Sequence, residues 1–169
     1  RREAIEAAFK YFMLSAVATL LLLFAIALLL FSVGSVSFEA VAAVFHSGQV
    51  SSIVLVVSGL TICALLIKGG VMPFHGWLPD AYSAGIPSTS LLLAGAISKT
   101  GGVYALIRFS RDVFGLSPRI SAILLFVGVI SVVAGALTAL VQNDFRRMLA
   151  WSSVSQVGYV VLGVGSATP

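Results

Sequence analysis

The residue in this sequence best placed to do chemistry is Lys99. It stands about twelve residues into an apolar run, with Leu91, Leu92 and Leu93 before it and an apolar stretch at 103–107 after it. At about 1.5 Å per residue, that is about 18 Å from the start of a helix, near the middle of a bilayer and too deep for easy snorkelling. An ionised amine at such depth costs at least about 2.5–3.5 kcal/mol. It must therefore face a carboxylate, face a polar cavity, or give up its proton. Desolvation disfavours the charged form of an amine, so a lysine in that setting can gain and release a proton near physiological pH. A nearby charge that moves would switch it. The competing reading is a fixed ion pair that locks two helices together.

Three further groups carry weaker signals. Lys68 closes a second apolar run, where a lysine commonly snorkels. Gly69, Gly70 and Pro73 follow at once, and they loosen the backbone and remove a donor. Apolar residues then continue through Val71, Met72, Phe74, Trp77 and Leu78. A helix broken inside the membrane fits this pattern, and its exposed C-terminal carbonyls would suit a cation such as lysine or a hydrated proton. A helix that ends at the interface, with Trp77 in the aromatic belt, fits equally well. Lys10 lies one turn after Glu6, a favourable i,i+4 pair that reads first as an interfacial salt bridge. His75 and Asp80 flank Trp77; a histidine titrates near neutral pH and can relay protons at a channel mouth or bond a loop carbonyl. His46 reads as interfacial.

The stretch Trp151, Ser152, Ser153, Val154, Ser155, Gln156 puts four hydroxyl or amide side chains into one turn and a half of an apolar segment. They can bond neighbouring helices or hold a water chain, and packing is the favoured reading. Ala94, Gly95, Ala96, Ser98, Gly101 and Gly102 would allow close helix approach around Lys99.

Composition fixes the solvent in which these groups must work. Of 169 residues, 59% are hydrophobic and 9% charged. A soluble domain carries about 25% charged residues. The net charge of +4 comes from scattered basic residues, so nucleic acid is not a partner. Cys63 lies alone in an apolar run and packs as a small hydrophobe. No His or Cys cluster has metal spacing, and no nucleophile-base set, phosphate loop or dinucleotide fingerprint is present, so neither metal nor cofactor is expected.

The pattern predicts an all-α, polytopic transmembrane bundle of about five spans, roughly 7–33, 50–68 with a break at 69–73, 87–107, 118–141 and 148–164. The segment 38–46 between the first two reads as an interfacial helix. The chain starts without Met and reads as an internal fragment of a single membrane domain. With Arg1 and Arg2 cytoplasmic, Arg146 and Arg147 share their side and Arg108, Arg111 and Arg119 fall outside, a weak positive-inside bias.

Four stretches together resemble one family. They are EAAFKYF at 6–12, IKGGVMPFHGWLPDA at 67–81, LAGAISKTGGVYALIRF at 93–109 and QNDFRRMLAWSSVSQVGY at 142–159. Their order and spacing are similar to those of the proton-translocating antiporter-like subunits of respiratory complex I, a family that includes Mrp-type sodium/proton antiporter subunits and membrane-bound hydrogenase subunits. The resemblance covers nearly the whole chain. It implies two inverted five-helix repeats, of which this chain would hold the sixth to tenth helices, with a discontinuous helix at Lys68. It also implies that Lys68 pairs with a glutamate on a helix before Arg1, that Lys99 passes protons onward, and that Lys10 lies on the polar axis. Departures are Tyr82 where many members have histidine, a loop proline displaced to Pro87, and Trp151 where tyrosine is usual. A second-half lysine or glutamate would lie beyond Pro169.

The expected function is proton, or cation/proton, translocation by a non-catalytic subunit of a redox-driven pump. An Mrp-type antiporter subunit is the nearest alternative, and a structural subunit with static ion pairs is the rival of another class. A transporter of an organic solute would need more polar side chains facing one cavity. The expected partners are membrane lipid, other membrane subunits, and protons or sodium, in a multi-pass protein of a bacterial or archaeal cell membrane.

Overall fold

The computed structural model describes residues 2–46, 52–115 and 117–166, and among these every regular element is helical. Five segments are long and apolar enough to cross a membrane: Arg2–Val33, Ser52–Ala84, Pro87–Val113, Pro118–Leu140 and Phe145–Ser166. The predicted second-span start at Val50 and the charge at Arg1 lie outside the described residues.

Helix α1 (Arg2–Val33) starts before the predicted boundary, because Glu3 and the Glu6–Lys10 pair support a polar first turn. It presents Phe9, Phe12, Leu20, Leu23, Phe24 and Phe31 outward. Such a surface suits hydrocarbon or another apolar helix and would be costly in water. Gly34, at φ +74°, turns the chain into the short helix α2 (Phe38–His46).

The second span is broken. Helix α3 (Ser52–Gly69) ends in a Schellman motif: Gly70 N–H donates to Ile67 O (3.2 Å) and Val71 N–H to Leu66 O (3.1 Å). Gly70 stands at φ +70°, and a Cβ there would meet Leu78 Cδ1 at 2.3 Å, so only glycine serves. A 3₁₀ turn, Phe74–Gly76, leads into helix α4 (Trp77–Ala84). Trp77, Leu78, Pro79 and Tyr82 are buried, so α4 packs inside the protein as the continuation of the second span beyond the break.

The third span begins with helix α5 (Pro87–Leu92), whose Pro87 occupies the first turn. It then widens into π-helical turns at Leu93–Ile97 and Lys99–Tyr104, narrows to helix α6 (Ala105–Arg108), and widens again at Phe109–Val113. It runs past the predicted end at 107, carried by an Arg108–Asp112 ion pair of 2.6 Å one turn apart. Helix α7 (Pro118–Leu140) opens with Pro118 and a Ser117 cap that accepts from Ile120 N–H. Helix α8 (Phe145–Ser166) begins under Asp144, whose carboxylate accepts from Arg146 N–H (3.0 Å).

Helices α7 and α8 meet backbone to backbone. Gly128 and Gly135 on α7 face Leu162 and Ser155, while Gly158 and Gly165 on α8 face Ser131 and Leu125, all with virtual Cβ contacts near 3 Å or less. Small residues let membrane helices approach this closely. The third span approaches the break by the same device. A Cβ on Gly102 would lie 2.4 Å from Gly69 N, 2.5 Å from Gly69 Cα and 2.8 Å from Lys68 C.

Because all three of those atoms are backbone, Gly102→Ala has no room to relax. It should destabilise the full-length protein by about 1–3 kcal/mol, the usual range for overpacking. Gly101→Ala, whose Cβ meets nothing within 4 Å, should be close to neutral. Thermal unfolding in detergent compares the two; equal effects would show that the close approach does not exist.

Candidate functional site: a broken helix and its buried amines

The break frees backbone groups that lipid cannot satisfy. Three devices answer it. Trp77 Nε1–H donates to Ile67 O at 3.1 Å, so the ring of α4 caps the end of α3. Met72 N–H donates to Ser131 Oγ at 3.1 Å, and Ser131 donates in turn to Val127 O at 2.8 Å, which ties the break to α7. Phe74 N–H donates to Val71 O at 2.7 Å within the connection.

Lys68 is half-buried at this end of α3. It lines a cavity of about 110 Å³ with Tyr11, Ser15, Trp77, Ser98 and Gly101. Lys99 lies within a turn of Gly102 and so belongs to the segment that packs on Lys68 and Gly69. Its Nζ is buried and has no hydrogen-bond partner among the described residues. Beside it, Ser98 is 1% exposed and accepts from the Tyr82 hydroxyl at 3.4 Å. Tyr82 therefore ends on the neighbour of Lys99, from the position noted above as a departure from the family pattern.

A second polar group lies at the end of the bundle formed by the start of α1, α4 and the start of α8. Asp80 holds two cations: Lys10 Nζ at 2.9 Å from Oδ2 and Arg147 Nη2 at 2.8 Å from Oδ1. Lys10 also meets Glu6 at 2.8 Å. The Glu6–Lys10 surface pair of the sequence thus extends to α4 and α8, with Asp80 at its centre. These groups border a cavity of about 380 Å³, together with Glu3, Ser83 and Asp144.

The remaining predicted positions divide between the two groups and the helix interface. His75 is half-buried, with its ring 4.8 Å from that of Trp151. Its Nδ1 is buried beside the Pro73 backbone and makes no well-formed hydrogen bond among the described residues. Gly69 is buried at the third-span contact, whereas Pro73 is exposed in the connection. The hydroxyl-rich turn does not act together: Ser155 donates to Val132 O at 3.1 Å, Ser152 and Ser153 are half-buried, and Gln156 faces outward. Sequence reasoning did not single out Tyr11, Ser131 or Arg147 as parts of this arrangement.

The comparisons with known proteins bear on the family and the fold. The family described as NADH:quinone oxidoreductase/Mrp antiporter, TM, matches residues 1–169. The NADH-quinone oxidoreductase subunit N of Hydrogenovibrio crunogenus is 34% identical over 170 residues, covering 99% of this chain and 35% of the relative. That of Herminiimonas arsenicoxydans is 37% identical over 163 residues, covering 95% of this chain and 33% of the relative. The chain thus spans about a third of the length of these curated relatives. Among solved structures, the Mrp complex from Dietzia sp. DQ12-45-1b superposes with a TM-score of 0.86 at 30% identity, over 95% of this chain and 29% of that one. The membrane-bound sulfane sulfur reductase, an archaeal respiratory membrane complex, gives a TM-score of 0.86 at 28% identity, over 98% of this chain and 34% of that one.

The Trp77 cap has a measurable worth. Trp77→Phe keeps the ring and removes the bond to Ile67 O, and it should cost the full-length protein about 1 kcal/mol. A thermal or denaturant midpoint unchanged from wild type would mean that the indole N–H does not close the end of α3.

Proposed function

Because the chain belongs to the NADH:quinone oxidoreductase/Mrp antiporter transmembrane family, we propose that it is the proton-conducting core of a redox-linked pump subunit in a bacterial cell membrane. It assembles there with other membrane subunits and carries no catalytic site for the redox chemistry itself. The curated bacterial relatives, each a subunit N of an NADH-quinone oxidoreductase, support this reading over others. One observation carries it: a lysine amine buried without a partner, on the segment that packs against the break beside a second lysine.

In this mechanism Lys68 and Lys99 exchange a proton. Lys68 sits where carbonyls at the end of α3 favour a cation. When a charge elsewhere in the assembled protein weakens that site, Lys68 releases its proton toward Lys99. Ser98 and the Tyr82 hydroxyl supply polar atoms beside the acceptor. His75 is assigned a supporting role near Trp151, and Lys10 a role at the polar end of the bundle. Gly69, Gly70 and Pro73 shape the break, and Glu6 and Asp80 hold Lys10. Ser155 serves helix packing, with Ser152, Ser153 and Gln156 on the rest of that turn.

An Mrp-type cation/proton antiporter subunit is the second reading, favoured by the superposition on the Mrp complex. The two share the lysine pathway and differ in the driving energy and in whether sodium is the counter-ion.

Proton translocation by the full-length protein in its complex, read by a pH-sensitive dye in membrane vesicles, tests the proposal. Lys99→Ala and Lys68→Ala should each reduce the rate about tenfold or more, since each removes a carrier whose replacement by water raises the barrier by at least about 1.4 kcal/mol. Lys99→Met with wild-type transport and full assembly would instead favour a static structural role.

A further inference from the structure

The two cavities share two walls and lie in the same order along both. On α1 the outer cavity is bordered by Glu3, Glu6, Ala7 and Lys10, and the inner one by Tyr11 and Ser15. Ala7, Tyr11 and Ser15 are spaced by four, so they stack on one face of the helix. The step from Ala7 to Tyr11 is about 6 Å. On α4 the outer cavity is bordered by Asp80, Ser83 and Ala84, and the inner one by Trp77, about one turn away. Tyr11 and Trp77 both border the inner cavity, and their rings are in contact, with centroids 5.1 Å apart and planes tilted at 53°.

The two rings are not held alike. Trp77 is 3% exposed, bonded to Ile67 O, and edge-on to Tyr82 at 6.5 Å. It is a fixed wall. Tyr11 is half-buried, and no hydrogen bond from its hydroxyl is seen among the described residues. Its ring is the less buried of the two, and side-chain rotamer changes of partly exposed residues run far faster than helix movements.

We propose that Tyr11 and Trp77 form an aromatic gate between the outer cavity and the chamber that holds Lys68, and that water reaches Lys68 from this end of the bundle when the Tyr11 ring turns away from Trp77. The inference rests on the translocation reading, because Lys68 needs water beside it only if it exchanges protons. The outer cavity suits that task. Its lining carries four carboxylates (Glu3, Glu6, Asp80, Asp144) and two cations (Lys10, Arg147), polar groups that hold water at the mouth. With the gate open, a hydronium ion in the chamber gives its proton to the neutral Lys68 amine. The N–H bond forms as the O–H bond breaks, and water remains. Asp80, held by Lys10 and Arg147, keeps α4 against α1 and α8, so that the tryptophan wall stays in register with Tyr11.

The test is thiol accessibility in the full-length protein in sealed vesicles, with Cys63→Ser and any other native cysteine removed. Ser83→Cys reports the outer cavity and Ser15→Cys the inner one. A charged, membrane-impermeant methanethiosulfonate is added to the side that labels Ser83→Cys. Ser15→Cys should react at least about tenfold more slowly than Ser83→Cys. Adding Tyr11→Ala should speed Ser15→Cys about tenfold and leave Ser83→Cys unchanged, while Tyr11→Phe should leave both as they were. If Tyr11→Ala does not assemble, Tyr11→Leu asks the same question with a branched side chain in place of the ring. Labelling of Ser15→Cys that ignores the Tyr11 substitutions, or that occurs only from the opposite side, overturns the gate. Readouts separate the two claims: pumping that depends on Lys68 with labelling indifferent to Tyr11 removes the gate alone. Gated labelling with pumping indifferent to Lys68 removes the translocation reading.

Discussion

A bilayer supplies no water to a broken helix, so every amide and carbonyl freed by the break must find its partner in the protein. The rest of this structure is arranged around that constraint. The Schellman bonds of Gly70 and Val71 close the end of α3, Trp77 adds an indole donor to Ile67 O, and Ser131 reaches from α7 to accept from Met72. These partners come from different spans. The break is therefore also the point at which α3, α4 and α7 are fixed relative to one another. Gly102 adds the third span by bringing its backbone onto Lys68 and Gly69.

Beside these backbone bonds, the unpaired side chains stand out. A buried polar group without a partner costs free energy that a structural lysine has no reason to incur. Three side-chain atoms are buried and unpaired among the described residues: His75 Nδ1, Lys99 Nζ and Ser110 Oγ. Of these, the lysine and the histidine can carry a full charge, and the lysine lies within a turn of Gly102 on the segment packed on the break. A static ion pair, the rival reading of Lys99, needs a carboxylate against the amine; none of the described residues supplies one, and the chain spans about a third of the length of its curated relatives. Charges near the surface behave in the opposite way. Lys10, Asp80 and Arg147 are fully paired and partly exposed, in a setting where ion pairs orient helices more than they stabilise them.

The sequence revealed these features unevenly, for physical reasons. Lys99 was conspicuous because depth in an apolar run can be counted and the cost of a charge there is known. Five apolar segments are legible in the sequence but not their ends, since the second continues past 68 to Ala84 and the third past 107 to Val113; the starts at Pro87 and Pro118 follow from the fixed φ of proline. The break was not decided by Gly69, Gly70 and Pro73, since glycine and proline punctuate a helix end and a helix interruption alike; the resemblance tipped the balance. What the fold adds is that Leu78 and Tyr82 lie buried beyond the break, and burial is a tertiary property. Ser131 gave no signal, being one hydroxyl in an apolar span 59 residues from Met72. Asp80 bonds partners 70 and 67 residues away, so its local neighbours suggested only a polar connection. The small residues around Lys99 were read as packing in general; only the coordinates show that Gly102 is the one that cannot grow.

The same geometry decides where motion can occur. Helices α7 and α8 touch through glycine backbones, which allows no sliding without a clash, and α4 is seated by four buried residues and tied at both ends. Elements packed this closely are bistable at most and do not deform gradually. In the proposed gate, control of water near Lys68 falls to side chains, and the groups bordering its chamber include one half-buried ring on an uninterrupted helix, Tyr11. A single rotamer change moves enough volume to connect cavities about one turn apart, at far smaller cost than moving a span. The proposed conduction, through a fixed scaffold with a small moving part, fits the constraint that set the scaffold: the break is bonded from several directions, and moving a helix there would break those bonds.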